Sequence, residues 1–471
     1  MVGIVSYGAY VPLYRLERKR IAEAWGGGAA AGEKAVANDD EDSLTMGVEA
    51  AFDCLGNGEE HKIDAVFFAS TTPPYREKQS ASILASVLDV GEEALTIDFG
   101  NSLRAGTNAI MAAMSFIAGQ PGKKVLVIVS DLRVPAPNSE MELLVGDGAA
   151  AFLLGDSELG VTLDGSYTTT SEFLDIWRRD DERYYRTWED RFILQRGYFE
   201  VMSRGISGLM KKYELEAGNF AKAIIYAPDL RRSTEIARQM GFDPKTQLPP
   251  PLFDSMGNTG SAFVPMMLVA ALEEAKAGDR LLLANYGDGC DALVLTVGER
   301  IDGLRDRRGI KRHLASKAML ANYAKYARFR LLMDLGVTLI PRVTSYLPIT
   351  WRDRKQIYGL YGHKCRRCGT VQYPMQRICT QCQAKDDFDT IKLPRKGTLF
   401  TFSMSERAEV ADPPWVNCII DIEGGGRIPL GMTDRGSHEV EVGMPLEFTF
   451  RNLHAGSGYN NYFWKCRPIR A

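Results

Sequence analysis

Gly257-Asn258-Thr259-Gly260-Ser261-Ala262 opens a stretch that runs through an apolar segment, Met266 to Ala277, into Asp279-Arg280-Leu281-Leu282-Leu283, and ends on Gly287-Asp288-Gly289-Cys290-Asp291-Ala292. The same order of pieces stands earlier in the chain. Gly100-Asn101-Ser102 leads into apolar residues from Ala109 to Ala118, then Lys123-Lys124-Val125-Leu126-Val127-Ile128-Val129, then Gly146-Asp147-Gly148-Ala149-Ala150. The upstream runs echo each other too, Asp64 to Ala69 before the first copy and Ala223 to Ala227 before the second. A repeat of this kind is the signature of a duplicated unit, and short β-branched runs alternating with alanine-rich ones make that unit βαβ-like. Residues 1 to 300 are therefore predicted to form a layered α/β domain with buried parallel strands.

The rest of the chain is organised around this core. At 471 residues it exceeds what a single core serves, so two or three domains are expected. Its halves are placed at 1–165 and 166–300, a helical connector and arm at 301–360, and two small modules at 361–390 and 391–471. The glycine-rich, then acidic, segment from Gly26 to Asp42 reads as a loop ahead of a helix from Ser43 to Cys54. Residues 165 to 200, with Asp175-Ile176-Trp177-Arg178-Arg179-Asp180-Asp181 and several tyrosines, break the repeat and are expected to border the substrate. Helical spacing runs from Lys317 to Leu335, and short alternating runs at Thr398 to Ser403, Asn417 to Ile422 and Leu446 to Arg451 predict a small β-barrel.

Composition narrows the function classes. Apolar content of 45% and charged content of 25% are ordinary for a globular protein. A net charge of -3, from 57 basic and 60 acidic residues, gives no nucleic-acid or anionic-membrane surface. No apolar run approaches the ~20 residues that cross a bilayer, and Met1-Val2-Gly3-Ile4-Val5-Ser6 reads as a first strand and not a signal peptide, so a cytoplasmic location is expected. Cys365-Arg366-Arg367-Cys368 and Cys379-Thr380-Gln381-Cys382 place two CxxC turns ten residues apart, the spacing that presents four thiolates to one tetrahedral zinc. With every ligand supplied by protein, one zinc per chain would be structural, and a redox role for either pair is the minor alternative.

Gly146-Asp147-Gly148-Ala149-Ala150-Ala151 and Gly257-Asn258-Thr259-Gly260-Ser261-Ala262, set in the two-copy architecture, resemble the thiolase superfamily, nearest to the hydroxymethylglutaryl-CoA synthase and ketoacyl synthase III enzymes. Tyr361-Gly362-His363-Lys364-Cys365 through Cys382, followed by the barrel runs, resembles the rubredoxin-like zinc ribbon and OB-fold domain that accompanies many thiolases as a separate subunit, here fused. The resemblance implies a duplicated αβαβα layered fold with a C-terminal zinc ribbon and OB-fold barrel, an acyl-CoA substrate, and at least a homodimer.

At the catalytic level the chain departs from that pattern. Leu103 aligns with the nucleophilic cysteine expected at a helix start, and a leucine forms no acyl-enzyme. Adjacent Ser102 is a possible replacement, but helix capping suits it better. Tyr226, in Ile225-Tyr226-Ala227-Pro228-Asp229, takes the place of the general-base histidine. Ala69-Ser70-Thr71-Thr72-Pro73-Pro74, where an acid is expected, offers only hydroxyls, with Thr72 a substrate-side candidate. Asn258 alone remains of the usual set, and its amide can still donate to a thioester oxyanion. The five histidines, His61, His313, His363, His438 and His454, read as surface or structural residues.

Without a thiolate a ping-pong Claisen reaction has no covalent intermediate to pass through. Aldol chemistry needs only an enolate stabiliser and one group to move the β-hydroxyl proton. Tyr226 is the first candidate for that group and Tyr286 the second, provided a cation or hydrogen bond lowers the phenol from about 10. Some thiolase-like aldolases that act on CoA esters with a zinc-ribbon/OB partner similarly lack the cysteine and use tyrosines. Arg104 is expected to hold a substrate carboxylate or phosphate, or to pair with Asp98 or Asp131. Cys290 is either a displaced nucleophile or, as its repeat counterpart Ala149 suggests, a packing residue lining the site. The alternatives are a condensing acyltransferase using Ser102 or Cys290, and a non-catalytic scaffold subunit. The module is expected to cover the acyl-CoA entrance, with Trp351, Tyr358 and Tyr361 as contacts and Trp415 and Trp464 as further candidates.

Overall fold

The computed structural model describes residues 1–28, 30–56, 62–333, 346–408, 410–456 and 458–470. The first 300 residues build one sheet from β1 (Gly3–Tyr10), β2 (Ala65–Ala69), β3 (Leu95–Phe99), β4 (Val125–Asp131), β5 (Gly148–Gly155), β6 (Val161–Thr170), β7 (Lys222–Ile225), β8 (Arg280–Tyr286) and β9 (Gly289–Val297). Their spatial order is β7-β8-β9-β6-β1-β5-β4-β2-β3. The two copies join where β1 meets β6, through the pairs Gly3–Thr162 and Ile4–Val161.

The helices of this region are α1 (Ser43–Leu55), α2 (Ser80–Leu88), α3 (Ala105–Gly119), α4 (Glu200–Lys212), α5 (Leu230–Gln239) and α6 (Phe263–Leu272). α1 packs on β1 and β5, and α6 packs on β5 and β7, so β5 is covered on both faces. All eight residues of β5 and all ten of α6 are buried, as an element apolar all round must be. Asp42 and Thr45 form a reciprocal capping box that starts α1 at Ser43, where the sequence placed it.

Two expectations about the core are corrected. The sheet is mixed: β2 runs parallel to β3 and β4, and β7 to β8, but the central β4-β5, β5-β1 and β9-β6 pairs are antiparallel. A strand buried on both faces reads as a continuous apolar run in either direction, so the run alone does not reveal its orientation. The repeat is also imperfect. Where the first copy has edge strand β3, the second has Gln247-Leu248-Pro249-Pro250-Pro251, whose prolines have no N–H to give a ladder, and only the Gln247 carbonyl accepts from Ala223 N (2.7 Å).

The predicted connector helix is shorter than its periodicity. Asn322 caps it by accepting from Lys325 N (2.9 Å), so it spans Tyr323–Phe329, while Ala318–Met319 pairs with the strand Tyr14–Glu17. Leu335 and His61 lie outside the described residues. Beyond the connector, Tyr361–Cys365, Val371–Gln372 and Phe388–Lys392 form a three-stranded ribbon, and Lys396–Ser405, Trp415–Ile422, Arg427–Gly431, Pro445–Gly456 and Tyr459–Pro468 form the five barrel strands.

The barrel seats on α1. Trp464, buried against Phe450 (5.4 Å between ring centroids), also meets Phe52 of α1 (6.3 Å). Around this contact lies a buried charge network. Lys465 donates to Asp40 (2.7 Å), Arg467 to Glu49 (2.5 Å) and Glu447 (2.8 Å), and Arg451 to Asp434 (2.5 Å) and Glu41. Arg308 closes a two-pronged pair on Glu447 at 2.9 and 2.8 Å. Two of the aromatic residues expected at an acyl entrance, Trp464 and Tyr358, take part in this seat. Tyr358 packs on Phe450 (6.1 Å), Tyr361 donates to Asp89 (2.6 Å), Lys465 lies over the Trp415 ring, and Trp351 is exposed. Among the described residues no helix is long and apolar enough to cross a membrane.

Candidate active site

The site assembles at the ends of strands β4, β7 and β8 and at the N-terminus of α3. After β7 the chain places Tyr226, whose carbonyl accepts from Tyr198 (2.6 Å) of the segment between the halves. The Tyr226 hydroxyl accepts from the Asn258 side-chain amide (3.2 Å), and Asn258 Oδ1 accepts from Gly260 N (3.0 Å), which fixes the amide's orientation. Tyr226 stacks on Tyr286 (5.9 Å, 25° between planes) and meets Phe263 edge-on (6.4 Å). The two tyrosines and the asparagine singled out in the sequence are therefore neighbours, all buried.

Electrostatics separate the two tyrosines. Burial pushes the Tyr226 hydroxyl above its ordinary value, and the Asn258 hydrogen bond and Arg133 charge only partly oppose it. Burial, then the Asp175 charge, push Tyr286 up further, because its hydroxyl donates to that carboxylate. Burial in turn raises the Asp175 carboxyl, with Tyr286 opposing. The condition of a lowered phenol is not met: at neutral pH both side chains are hydrogen-bond donors, not phenolates.

Leu103 is buried just ahead of α3, and its carbonyl accepts from Asn285 (3.4 Å). Gly287 closes against this turn with φ +150°, and a Cβ there would meet Ser102 Oγ at 2.8 Å and the Leu103 and Arg104 amide nitrogens at 3.0 Å. Only glycine permits that approach. Ser102 does not cap α3. The flanking position is Arg104, and Ser102 Oγ accepts from Arg104 N at a long 3.4 Å. Arg104 pairs with neither Asp98 nor Asp131. It bridges to buried Asp291 (3.1 Å) and donates to the Thr169 and Asp288 carbonyls, each 3.0 Å away, holding the helix start against the β8-β9 turn. Asp98 instead accepts from Ser80 N and Ala81 N at the start of α2.

The hydroxyls of Ser70, Thr71 and Thr72 are also engaged. Together with the Thr71 and Ser261 amides they give five hydrogen bonds of 2.6 to 3.2 Å to Asp131, a fully buried carboxylate at the end of β4. Thr72 thus supports the site's frame, its hydroxyl also accepting from Leu132 N (2.9 Å). Cys290 is fully buried with its Sγ against Gly205 of α4, and burial raises the thiol, which disfavours the thiolate a nucleophile needs and suits a packing role. An apolar cleft of about 160 Å³ adjoins on the other side of the Tyr226 segment, lined by Ile225, Ala227, Leu248, Leu252, Phe263 and Met267.

Three groups here went unremarked as site residues in the sequence. Asp175 and Tyr185 come from the segment between the halves, and Arg133 lies two residues beyond Asp131. Strand-end position marks Asp131 and Arg133, and Asp175 and Tyr185 lie in the segment expected to border the substrate, though nothing local gives either of them a role. Of the histidines, His313 bonds the Gly309 carbonyl beside Tyr10, His363 stacks on Phe388, His438 bonds Arg435, and His454 lies in a barrel strand. Away from this pocket, the thiol sulfurs of Cys365, Cys368, Cys379 and Cys382 lie within 4.8 Å of one another, a cluster able to hold a metal ion.

Comparisons with known proteins fit this geometry. Residues 390–451 match the family model of the ChsH2 C-terminal OB-fold domain. The hydroxymethylglutaryl-CoA synthase of Methanopyrus kandleri is 33% identical over 340 residues, covering 70% of this chain and 97% of that protein. The Pyrococcus furiosus enzyme is 32% identical over 336 residues, covering 70% and 96%. Among solved structures, MvaS in complex with 3-hydroxy-3-methylglutaryl coenzyme A superposes with a TM-score of 0.64 at 21% identity, covering 73% of this chain and 94% of MvaS. With nearly the whole of such relatives matched above 30% identity, and the thiolase-like duplication seen in the fold, this chain belongs to the hydroxymethylglutaryl-CoA synthase family.

Proposed function

We propose that this chain makes or breaks a carbon–carbon bond in a β-hydroxyacyl-CoA by aldol or retro-aldol chemistry, without an acyl-enzyme. The observation that carries the reading is a substitution of chemistry at one place: buried Leu103 stands at the helix mouth, while Tyr226, Asn258 and the Tyr286–Asp175 pair converge beside it. The relatives' name and the CoA ester in the MvaS structure support a CoA thioester as substrate.

The thioester oxygen sits at the free N–H of the Asn258 amide and the Leu103 end of α3, where developing enolate charge is stabilised. In cleavage, Tyr286 takes the β-hydroxyl proton as its own passes to Asp175, the Cα–Cβ bond breaks, and the electron pair goes to the thioester enolate, leaving a ketone or aldehyde. Tyr226, held protonated by burial, donates to the same oxygen; in the reverse direction it polarises the acceptor carbonyl. Tyr226→Phe is expected to lower kcat by about 100- to 10,000-fold. Mass spectrometry of CoA products from a panel of β-hydroxyacyl-CoA esters tests the reading, and release of a shorter acyl-CoA with a carbonyl compound is the expected result.

The second reading is a condensing acyltransferase with a displaced nucleophile, favoured by the name of the relatives. A covalent acyl adduct on intact mass, mapped to Ser102, would establish it in place of the first. For the four cysteines we propose one structural zinc, since the Cys365–Cys382 and Cys368–Cys379 sulfur separations of 3.6 and 3.5 Å suit the roughly 3.8 Å edge of a tetrahedral Zn–S site. The half-exposed edge strand β3 is the proposed seam of a homodimer.

A further inference from the structure

Six side-chain hydroxyls are buried without a hydrogen-bond partner among the described residues: Tyr7, Ser80, Ser130, Thr169, Tyr185 and Ser261. Leaving a buried hydroxyl unbonded is costly, so each calls for a reason. Tyr185 differs from the rest in where it stands and what holds it. It belongs to the segment between the halves, its ring is half-buried while its hydroxyl is turned inward, and the Arg133 guanidinium lies 4.2 Å from the ring centroid. Tyr7, the other phenol, stands on β1 with Glu273 and Arg305 as its charged neighbours.

Arg133 ties that ring to the candidate active site. Its Cδ runs against Gly260, where a Cβ would meet it at 2.7 Å, and Gly260 N is the donor that orients Asn258 Oδ1 (3.0 Å). Asn258 in turn donates to the Tyr226 hydroxyl (3.2 Å). Burial pushes the Tyr185 hydroxyl up to about 12, Arg133 opposes that rise, and Tyr226 is the other group that acts on it. The phenol therefore keeps its proton at neutral pH. A cation against the ring favours the anionic form and so strengthens the O–H as a donor.

We infer that Tyr185 is a third hydroxyl of the reaction centre, donating to the thioester oxygen beside the Asn258 amide. The contacts that join it to the site run through Asn258, the residue placed at that oxygen, and the oxygen supplies the acceptor that the hydroxyl does not find among the described residues. The hydrogen bond strengthens as the oxygen takes up enolate charge. No proton changes hands there: Tyr185 keeps its own, and Tyr286 and Asp175 still carry the one from the β-hydroxyl. The inference rests on the CoA-thioester reading and gives the segment that interrupts the repeat a part in the chemistry.

The test is equilibrium binding to the full chain of acetyl-CoA and of S-ethyl-CoA, a thioether that matches it in length and lacks the thioester oxygen. Tyr185→Phe is expected to weaken acetyl-CoA about fivefold, the span of one hydrogen bond, and to leave S-ethyl-CoA unchanged. Arg133→Gln, which removes the cation and keeps the phenol, should weaken acetyl-CoA by a smaller factor. With a β-hydroxyacyl-CoA ester that is turned over, Tyr185→Phe should lower kcat by about 100-fold, more than it weakens binding, because the bond strengthens as enolate charge develops. Equal weakening of both probes, unchanged acetyl-CoA binding or an unchanged kcat overturns the inference and leaves the CoA reading standing. If acetyl-CoA does not bind the native protein, the CoA reading falls, and the inference is overturned with it.

Discussion

Arg451 and Arg467 are buried more deeply than Arg133, at 0% and 1% exposure against 7%, and the company they keep is different. At the seat of the barrel on α1, each guanidinium faces carboxylates from both sides of the junction: Glu41 and Asp434 for Arg451, Glu49, Glu447 and Asp434 for Arg467. Beside Tyr226, Arg133 stacks 4.2 Å from the centroid of the Tyr185 ring and runs its Cδ against Gly260. A buried charge held by carboxylates from two sides fixes those surfaces in one register, because any other arrangement strands a charge. A cation held on an aromatic face binds its surroundings more weakly. The same residue type thus marks a charged junction in one place and a stacked edge of the candidate active site in the other.

The largest effect should come from breaking the paired side. Asp434→Leu leaves Arg451 and Arg467 short of a shared acceptor that also receives the Asn38 amide at 3.1 Å. The expected loss is about 3–5 kcal/mol, the cost of stranding one half of a buried pair. Urea unfolding would measure it, and a loss under about 1 kcal/mol would mean the network relaxes and the junction is not fixed by charge.

A smaller effect comes from titrating the same network. Burial alone would raise the Glu447 carboxyl, but Arg467 and Arg308 outweigh it and hold the group down at about 2. The folded value lies below the unfolded value of about 4.3, so its contribution is fully present above pH 4.3 and is lost as pH falls from there towards 2. Acid unfolding of the native protein should therefore steepen across that window by up to about 3 kcal/mol, and Glu447→Gln should flatten it. An unchanged acid profile in the variant would show that other carboxylates carry the acid sensitivity.

The order of residues along the chain records some of this and not the rest. The duplication, the metal cluster and the choice of Tyr226 and Asn258 as site residues are legible in it, because each depends on residue type at a fixed spacing or on a strand end; that Tyr226 and Asn258 bond each other comes from the fold. Strand direction is not, since β5 is apolar on both faces and reads alike parallel or antiparallel. The charge of Arg104 is plain but its partner is not, because Asp291 lies 187 positions away and only the closing of Gly287 on Ser102 brings them together. The junction network joins residues 40–49 to residues 434–467, a separation no local pattern records. Arg133 is marked by its place just past a strand end, but its stacking on Tyr185, from the segment between the halves, is not.

Arg133 carries the smallest prediction. Its contacts are the Tyr185 ring at 4.2 Å and Gly260, so Arg133→Met should change stability by no more than about 1 kcal/mol, the span of a cation–π contact that keeps some solvent. Under the same conditions Asp434→Leu should shift the urea midpoint several times as far, because it strands two guanidinium groups where Arg133→Met strands none. A destabilisation by Arg133→Met as large as that of Asp434→Leu would show that the stacked cation serves the fold as fully as the paired ones.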